Sequence, residues 1–125
     1  MRVRDLVAGD VVWVAPEATL RRAAEVMVAA EVGSVAVEVD GALEGILTER
    51  DILRAVADDA YFDTDPASSW MTEYPESFTP EMEVSEAADW MLVMGCRHLP
   101  VVDGDEVLGI ISIKDVLWAI TDEKA

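Results

Sequence analysis

The sequence has few residues that could cross-link the chain or carry it through a membrane. Its only cysteine is Cys96, so no disulfide can form within the chain, and this fits a reducing compartment. The longest apolar stretches, such as 11–15 and 35–39, fall far short of the roughly 20 residues that span a bilayer, and no signal peptide is recognisable. We therefore expect a soluble, cytoplasmic protein that inserts into no membrane.

Basic residues are also scarce, because nine lysines and arginines stand against 26 acids, for a formal net charge of −17. A field of this sign repels nucleic acid and anionic membranes, so we expect no direct binding to either. A phosphate group would also be repelled at long range. Any phosphate site must therefore gather the few basic side chains locally or bring a counterion such as Mg²⁺.

An internal repeat organises the chain. A shift of 64 residues aligns the two halves without a gap and gives twelve identities in 45 positions between 14–58 and 78–122. At 125 residues and 52% hydrophobic composition, each half is too small to bury much core alone. The identities include Pro16 with Pro80, Met27 with Met91, Gly45-Ile46 with Gly109-Ile110, Asp51 with Asp115, and Leu53 with Leu117.

Each repeat begins with the pattern of a strand and a helix. Proline blocks continuation of a sheet ladder and can precede a helix, so we expect extended segments before Pro16 and Pro80. Thr19 is expected to cap the first helix, and Gly33 and Gly95 to end the helices of the two repeats. The predicted helix faces consist of Leu20, Ala24, Met27 and Glu31, and of Val84, Ala88, Met91 and Gly95.

A hairpin and a second helix follow in each repeat. The β-rich runs 34–39 and 99–102 are each turned by an Asp-Gly pair into a run that ends at Leu47 or Ile111. The final helices are expected to start at Thr48 and Ser112. The predicted turns are Asp40-Gly41 and Asp103-Gly104, and the predicted buried faces are Ile52, Leu53 and Val56, and Val116, Leu117 and Ile120.

The predicted fold class is α+β, with tandem strand-helix-strand-strand-helix repeats packed about a pseudo-twofold axis. Two clefts would follow from that symmetry. We place the first repeat at 1–60, a connector at 61–70, and the second repeat at 71–125.

The segments 45–51 and 109–115 share one motif of glycine, two aliphatics, a hydroxyl, any residue, a base and an acid. A hydroxyl followed three residues later by an acid resembles a capping box, which is a purely structural explanation. Capping explains neither the base before the acid nor the glycine three residues ahead of the hydroxyl. Free amides at a helix start, a hydroxyl and a cation suit a phosphate, and a carboxylate suits ribose hydroxyls.

These motifs resemble those of the CBS domain pair, or Bateman module. The resemblance covers nearly the whole chain and extends to Met71-Thr72, Thr79-Pro80-Glu81, Glu86-Ala87 and 97–103. It implies a regulatory module that has no catalytic cofactor and binds AMP, ADP, ATP or S-adenosylmethionine in the clefts between the repeats. It also implies a homodimer formed through helices and an unidentified protein partner that receives the signal.

The resemblance assigns roles to individual residues. Asp51 and Asp115 would hold ribose hydroxyls, Thr48 and Ser112 would meet phosphate or ribose, and Arg50 and Lys114 would neutralise phosphate. Arg97 and His98 match positions that often contact phosphates. In the first repeat Gly33 and Ser34 stand in their place, so Ser34 is the candidate there, and we expect unequal affinity or one occupied site. Which cleft fills stays open, because each is built from both repeats.

Two other interpretations start from the second repeat. Cys96 and His98 could form a nucleophilic pair, but neither has an equivalent in the first repeat, and no third residue to orient them is evident. The chain could instead be an interaction module that binds no ligand. Trp90 and Met94 widen the apolar surface of their predicted helix, which suits an interface and a core equally well. Neither a paired-acid site nor a metal cluster is predicted.

Overall fold

The computed structural model describes residues 1–7 and 11–124, which divide between two compact units. The middle unit spans Val11–Pro75. The terminal unit combines residues 1–7 with the chain after Pro75. Among the described residues, no helix has the length and apolar character needed to cross a membrane.

The middle unit has a four-stranded sheet with two helices. Strand β1 is parallel to β2, and the β2–β3 and β3–β4 pairs are antiparallel, in the order β1-β2-β3-β4. Val35, Val37 and Leu47 of the hairpin pack in one buried cluster with residues of the first helix. The elements are β1 (Trp13–Val14), α1 (Leu20–Ala30), β2 (Ser34–Val39), β3 (Ala42–Thr48), α2 (Glu49–Ala57) and β4 (Thr72–Glu73).

The terminal unit repeats this plan in a shorter form. Its hairpin pairs β5 with β6, and Phe78 forms an isolated parallel bridge with Val101, where the first repeat has a full strand. Leu99, Val101 and Ile111 belong to its buried cluster. The elements are α3 (Val84–Met94), β5 (His98–Asp103), β6 (Glu106–Ser112) and α4 (Ile113–Lys124). The predicted α+β class and the order of elements are confirmed.

The segments that lead into the two repeats are exchanged between the units. A 3-10 helix at Val3–Leu6 belongs to the terminal unit, and its counterpart at Ala67–Ser69 belongs to the middle unit. Val3 is fully buried, and its N–H donates to the carbonyl of Met82 over 2.8 Å. Each repeat is therefore preceded by a segment that folds with the other repeat. The predicted boundaries at residues 60 and 71 stay a prediction.

The helix ends confirm two predictions and correct a third. The Thr19 hydroxyl accepts the Arg22 N–H over 3.1 Å, and Gly95 ends α3 with φ 71°. Gly33 was expected to end α1, but the helix ends at Ala30, and Glu31 takes the left-handed position with φ 56°. The N–H of Val32 donates to the Met27 carbonyl, so the helix end is closed before Gly33.

The hairpin turns match the prediction in the first repeat and lie one residue later in the second. Asp40 and Gly41 have φ 51° and 81°, as the predicted two-residue turn requires. In the second repeat Asp103 pairs with Glu106, so the turn residues are Gly104 and Asp105. The strand register, which keeps the core residues on one face, decides the position of the turn.

The predicted faces of α2 and α4 are partly wrong. Leu53, Val56 and Leu117 were expected to be buried, but their exposed fractions are 69%, 58% and 53%. The buried positions include two alanines, Ala55 and Ala119, which let each helix lie close to its sheet while larger apolar side chains point outward. The remaining predictions hold, since Val116 is buried and Ile52 and Ile120 are half-buried.

Candidate functional site

Each hairpin brings the start of its first strand beside the start of the following helix. Ser34 pairs with Thr48 in the middle unit, and His98 pairs with Ser112 in the terminal unit. We call these places the middle corner and the terminal corner. The middle corner consists of Ser34, Thr48, Arg50 and Asp51, and the terminal corner of Arg97, His98, Ser112, Lys114 and Asp115.

Backbone hydrogen bonds fix the same geometry at both corners. The N–H of Ile113 donates to the Arg97 carbonyl over 2.8 Å, and the N–H of Glu49 donates to the Gly33 carbonyl over 2.9 Å. The residue pairs are again related by the 64-residue shift. The structure therefore gathers the predicted site residues into one set in each unit, while their predicted roles stay predictions.

The hydroxyl and the acid of each motif cap their helix reciprocally. In the middle corner, Asp51 Oδ2 accepts the Thr48 N–H over 2.8 Å and the Thr48 hydroxyl over 3.0 Å, and Thr48 Oγ1 accepts the Asp51 N–H over 3.3 Å. In the terminal corner, Asp115 Oδ2 accepts the Ser112 N–H over 2.9 Å, and Ser112 Oγ accepts the Asp115 N–H over 3.1 Å. The capping interpretation of the motif is confirmed, and in each corner it leaves Oδ1 of the acid outside these bonds.

The two carboxylates differ in what lies beside Oδ1. Asp51 is buried, with 4% exposed, and its Oδ1 lies 3.5 Å from Nη1 of Arg54. The 64-residue shift places Trp118 at the position of Arg54, so Asp115 has no cation one turn along its helix. The ion pair at Asp51 was not predicted, although the spacing of three residues on a helix signals it.

Three cations at the corners have no acidic partner within the described residues. Arg50, Arg97 and Lys114 are exposed and form no ion pair there, whereas Arg2, Arg4 and Arg21 are each paired with an acid. Basic side chains that form no ion pair are rare in this protein, whose formal net charge is −17. Their placement beside the hydroxyl and the carboxylate concentrates positive charge at the motif.

The glycine of each motif is explained by a close approach of the exchanged segments. A Cβ at Gly45 would lie 2.5 Å from Sδ of Met71 and 2.7 Å from the Thr72 carbonyl oxygen. A Cβ at Gly109 would lie 2.8 Å from Cγ1 of Val7. Neither approach was predicted, although the 64-residue shift aligns Val7 with Met71.

An open groove of about 380 Å³ lies elsewhere, on the outer side of α1. At its edge, the hydrogen bond from Arg21 lowers the pKa of the exposed carboxyl of Asp63. On β2, burial raises the pKa of Glu38. None of the predicted site residues lines the groove, which is formed by Arg21, Ala24, Glu25, Val28, Ala29 and Phe62.

The structure places the two residues of each alternative interpretation, Trp90 and Met94 for an interface and Cys96 and His98 for a nucleophilic pair, in different surroundings. Trp90 packs edge-on against Phe78, with ring centroids 5.9 Å apart, so it belongs partly to the core, while Met94 is exposed. Cys96 precedes the first residue of β5 and packs against the terminal core. It therefore does not share a strand with His98, and the alternation along one strand that suggested a nucleophilic pair does not apply.

Comparison with known proteins gives the family. The CBS domain family matches residues 3–58 and 67–122, which are offset by the same 64 residues. The CBS domain-containing protein YhcV of Bacillus subtilis is 35% identical over 91% of this chain and 81% of its own length. The crystal structure of the CBS-domain containing protein ATU1752 from Agrobacterium tumefaciens has a TM-score of 0.88 and 33% identity, covering 95% of this chain and 92% of its own.

A third similar protein has been solved with a ligand. The CBS domain protein PAE2072 from Pyrobaculum aerophilum, complexed with AMP, has a TM-score of 0.86 and 27% identity, covering 98% of this chain and 99% of its own. Matches to the family at both repeats and to relatives over nearly the whole length agree with each other. The chain therefore belongs to the CBS domain family and carries two CBS domains.

Proposed function

We propose that the chain is a regulatory module that binds an adenosine-containing nucleotide at its strand-helix corners and signals to a separate partner protein. The observation that carries the proposal is that Arg97 and Lys114, which form no ion pair within the described residues, lie beside Ser112 and Asp115 in a protein of net charge −17. An anion that binds here meets two positive charges that no ion pair within the described residues neutralises. A nucleotide supplies both the phosphate for the cations and the ribose hydroxyls for the carboxylate.

Two further observations support this proposal. PAE2072, which is 27% identical and has the same fold, is complexed with AMP. The corner geometry also leaves Asp115 Oδ1 outside the capping bonds, so that oxygen is available to accept a hydroxyl hydrogen bond. AMP, ADP, ATP and S-adenosylmethionine all carry an adenosine moiety, and the motif addresses ribose and phosphate more than base.

We assign the corners to binding and not to catalysis. Among the described residues, Ser112 and Asp115 are committed to each other by their capping bonds, because Asp115 Oδ2 accepts the Ser112 N–H and Ser112 Oγ accepts the Asp115 N–H. In the same part of the chain, no group of three or more His, Cys, Asp or Glu side chains could hold a metal ion.

A second candidate function is protein interaction without a ligand. Its support is the exposed apolar surface of the helices, above all the terminal helix face, which consists of Leu92, Val93, Met94, Leu117 and Trp118. Large exposed apolar patches mark interaction sites. We propose that a second copy of the chain covers this face as a homodimer. The two candidates are compatible and differ in whether the corners hold a ligand.

Thermal unfolding with AMP, ADP, ATP, S-adenosylmethionine and NAD at millimolar concentration tests the proposal. A ligand at 100 times its dissociation constant adds about 2.7 kcal/mol to the free energy of unfolding, which raises the melting temperature by several degrees. Asp115→Asn and Asp51→Asn are better probes than alanine, because asparagine keeps an oxygen for the capping N–H. Asp89→Asn, on the exposed side of α3, is the matched control.

We expect a shift with at least one adenosine compound, reduced by an asparagine at a corner and unchanged by Asp89→Asn. Calorimetry then gives the stoichiometry for the compound with the largest shift. If none of the five compounds raises the melting temperature of the wild type, the sensing proposal is wrong and the ligand-free interaction module stands.

A further inference from the structure

We infer that the two corners accept ligands of different charge: the terminal corner binds a phosphate-bearing nucleotide, and the middle corner binds at most an uncharged ribose compound. This inference rests on the proposed function and names the ligand class of each corner. It follows from side chains that differ between two sites with the same strand pairing and the same backbone hydrogen bond at the helix start.

The first difference is the balance of charges. The terminal corner has two cations, Arg97 and Lys114, against the single acid Asp115. Its α4 helix begins with the uncharged Ile113, whose backbone N–H bonds to the Arg97 carbonyl and so holds Arg97 beside the helix start. An approaching phosphate meets net positive charge there.

The middle corner has no such surplus. Glu49 takes the place of Ile113, so two acids, Glu49 and Asp51, occupy the first turn of α2 against Arg50 and Arg54. Gly33 takes the place of Arg97 and brings no charge. A phosphate at this corner would face an acidic first turn within a strongly acidic protein, with one unpaired cation among the described residues of the corner, Arg50, to offset it.

The second difference lies at the carboxylates. Arg54 lies 3.5 Å from Asp51 Oδ1, the oxygen that the cap leaves for a ribose, and partly satisfies it. Trp118 stands at that position in the terminal unit and offers Asp115 no cation. Ribose binding at the middle corner must compete with Arg54, whereas Asp115 can accept a hydroxyl without displacing a cation from that position.

Isothermal calorimetry of the full chain with AMP and with adenosine tests the inference. The test variant is Arg97→Gln with Lys114→Gln. The matched control is Arg21→Gln with Arg22→Gln, which removes two exposed arginines of α1 that belong to neither corner and changes the net charge equally. We expect the test variant to weaken AMP binding about 100-fold, because each of the two charge-assisted hydrogen bonds to phosphate is worth about tenfold in affinity. The control should change AMP affinity less than about threefold, and adenosine affinity should stay within about threefold in both.

The outcomes separate the inference from the proposed function. Equal reductions of AMP affinity in both variants, or a reduction in the control alone, overturn the assignment of phosphate to the terminal corner. A wild type that binds neither compound overturns the proposed function and this inference with it.

As a second measurement, Gly33→Arg with Glu49→Ile gives the middle corner the charges of the terminal one. We expect its AMP stoichiometry to rise from one site to two, and a stoichiometry that stays at one contradicts the role of these charges.

Discussion

Glycine at positions 45 and 109 is required by what lies against its Cα. At Gly45 the neighbours are the Met71 side chain and the backbone oxygen of Thr72, which belongs to a paired strand. At Gly109 the neighbour is the side chain of Val7, which approaches through one methyl group. A side chain can rotate away from an added methyl group, but the backbone of a paired strand cannot, so the two glycines differ in how much change they tolerate.

We predict that Gly45→Ala destabilises the protein by about 2 to 3 kcal/mol and Gly109→Ala by about 1 kcal/mol. Urea unfolding measures both changes. Adding Val7→Ala to Gly109→Ala should restore part of the stability, because it removes the contacting methyl group. Adding Met71→Ala to Gly45→Ala should restore less, because the Thr72 oxygen remains. An equal loss of unfolding free energy in Gly45→Ala and Gly109→Ala would contradict the close approach of the Thr72 backbone oxygen to Gly45.

Among the elements, the segment ahead of each repeat has the most unexpected role. Residues 1–7 supply Val3 to the buried cluster of the terminal unit and add hydrogen bonds in both directions with 80–84. Ion pairs from Arg2 and Arg4 to Glu81 and Glu83 surround this contact, but these side chains are about half exposed and contribute little. The buried valine and the backbone bonds therefore hold the segment in place.

We predict that Val3→Ala lowers the free energy of unfolding by about 2 kcal/mol, because it leaves a cavity in a fully buried position. The same substitution at the exposed Val39 is the control and should cost less than about 0.5 kcal/mol. Urea unfolding compares the two. A Val3→Ala variant as stable as the control would show that the segment is dispensable.

How much of this could be predicted from the sequence depends on the range of the interaction. Local signals were sufficient for the Thr19 cap, the Asp40-Gly41 turn and the hydroxyl-acid caps, because each involves residues within four positions. The exchange of the leading segments was not predicted, because it joins Val3 to Met82 across the chain. The outward direction of Leu53 depends on which helix face meets the sheet, and the apolar pattern alone left two faces possible.

On the scale of the whole molecule, exposed apolar helix surface coexists with strong net charge. Leu92 and Trp118 of the terminal helix face are 73% and 67% exposed, although the −17 charge keeps copies apart at long range. In the middle unit, Val28 and Leu53, which the 64-residue shift aligns with Leu92 and Leu117, are also exposed. Both units therefore offer an apolar helix surface, and salt should favour its burial by screening the repulsion.

We predict that Leu92→Asp with Trp118→Asp converts a dimeric wild type to monomers in sedimentation velocity. Burying two carboxylates in an apolar interface costs more free energy than the burial of its apolar surface contributes. Ser77→Asp with Thr79→Asp adds the same charge at exposed positions outside this face and should leave the dimer intact. A wild type that sediments as a monomer, or a double aspartate variant that stays dimeric, would exclude this face as the contact. Trp90 is unsuitable for the test because it packs against Phe78.

The exchange of the leading segments also sets an order of events during synthesis. The middle unit is one continuous stretch, Val11–Pro75, so its chain is complete while the second repeat is still being translated. The terminal unit needs the first residues and the last, so Val3 must wait for α3 and β6 to leave the ribosome. At about 5 to 20 residues per second, the last 50 residues take roughly three to ten seconds. During that time Val3 lacks the buried neighbours that surround it in the folded terminal unit.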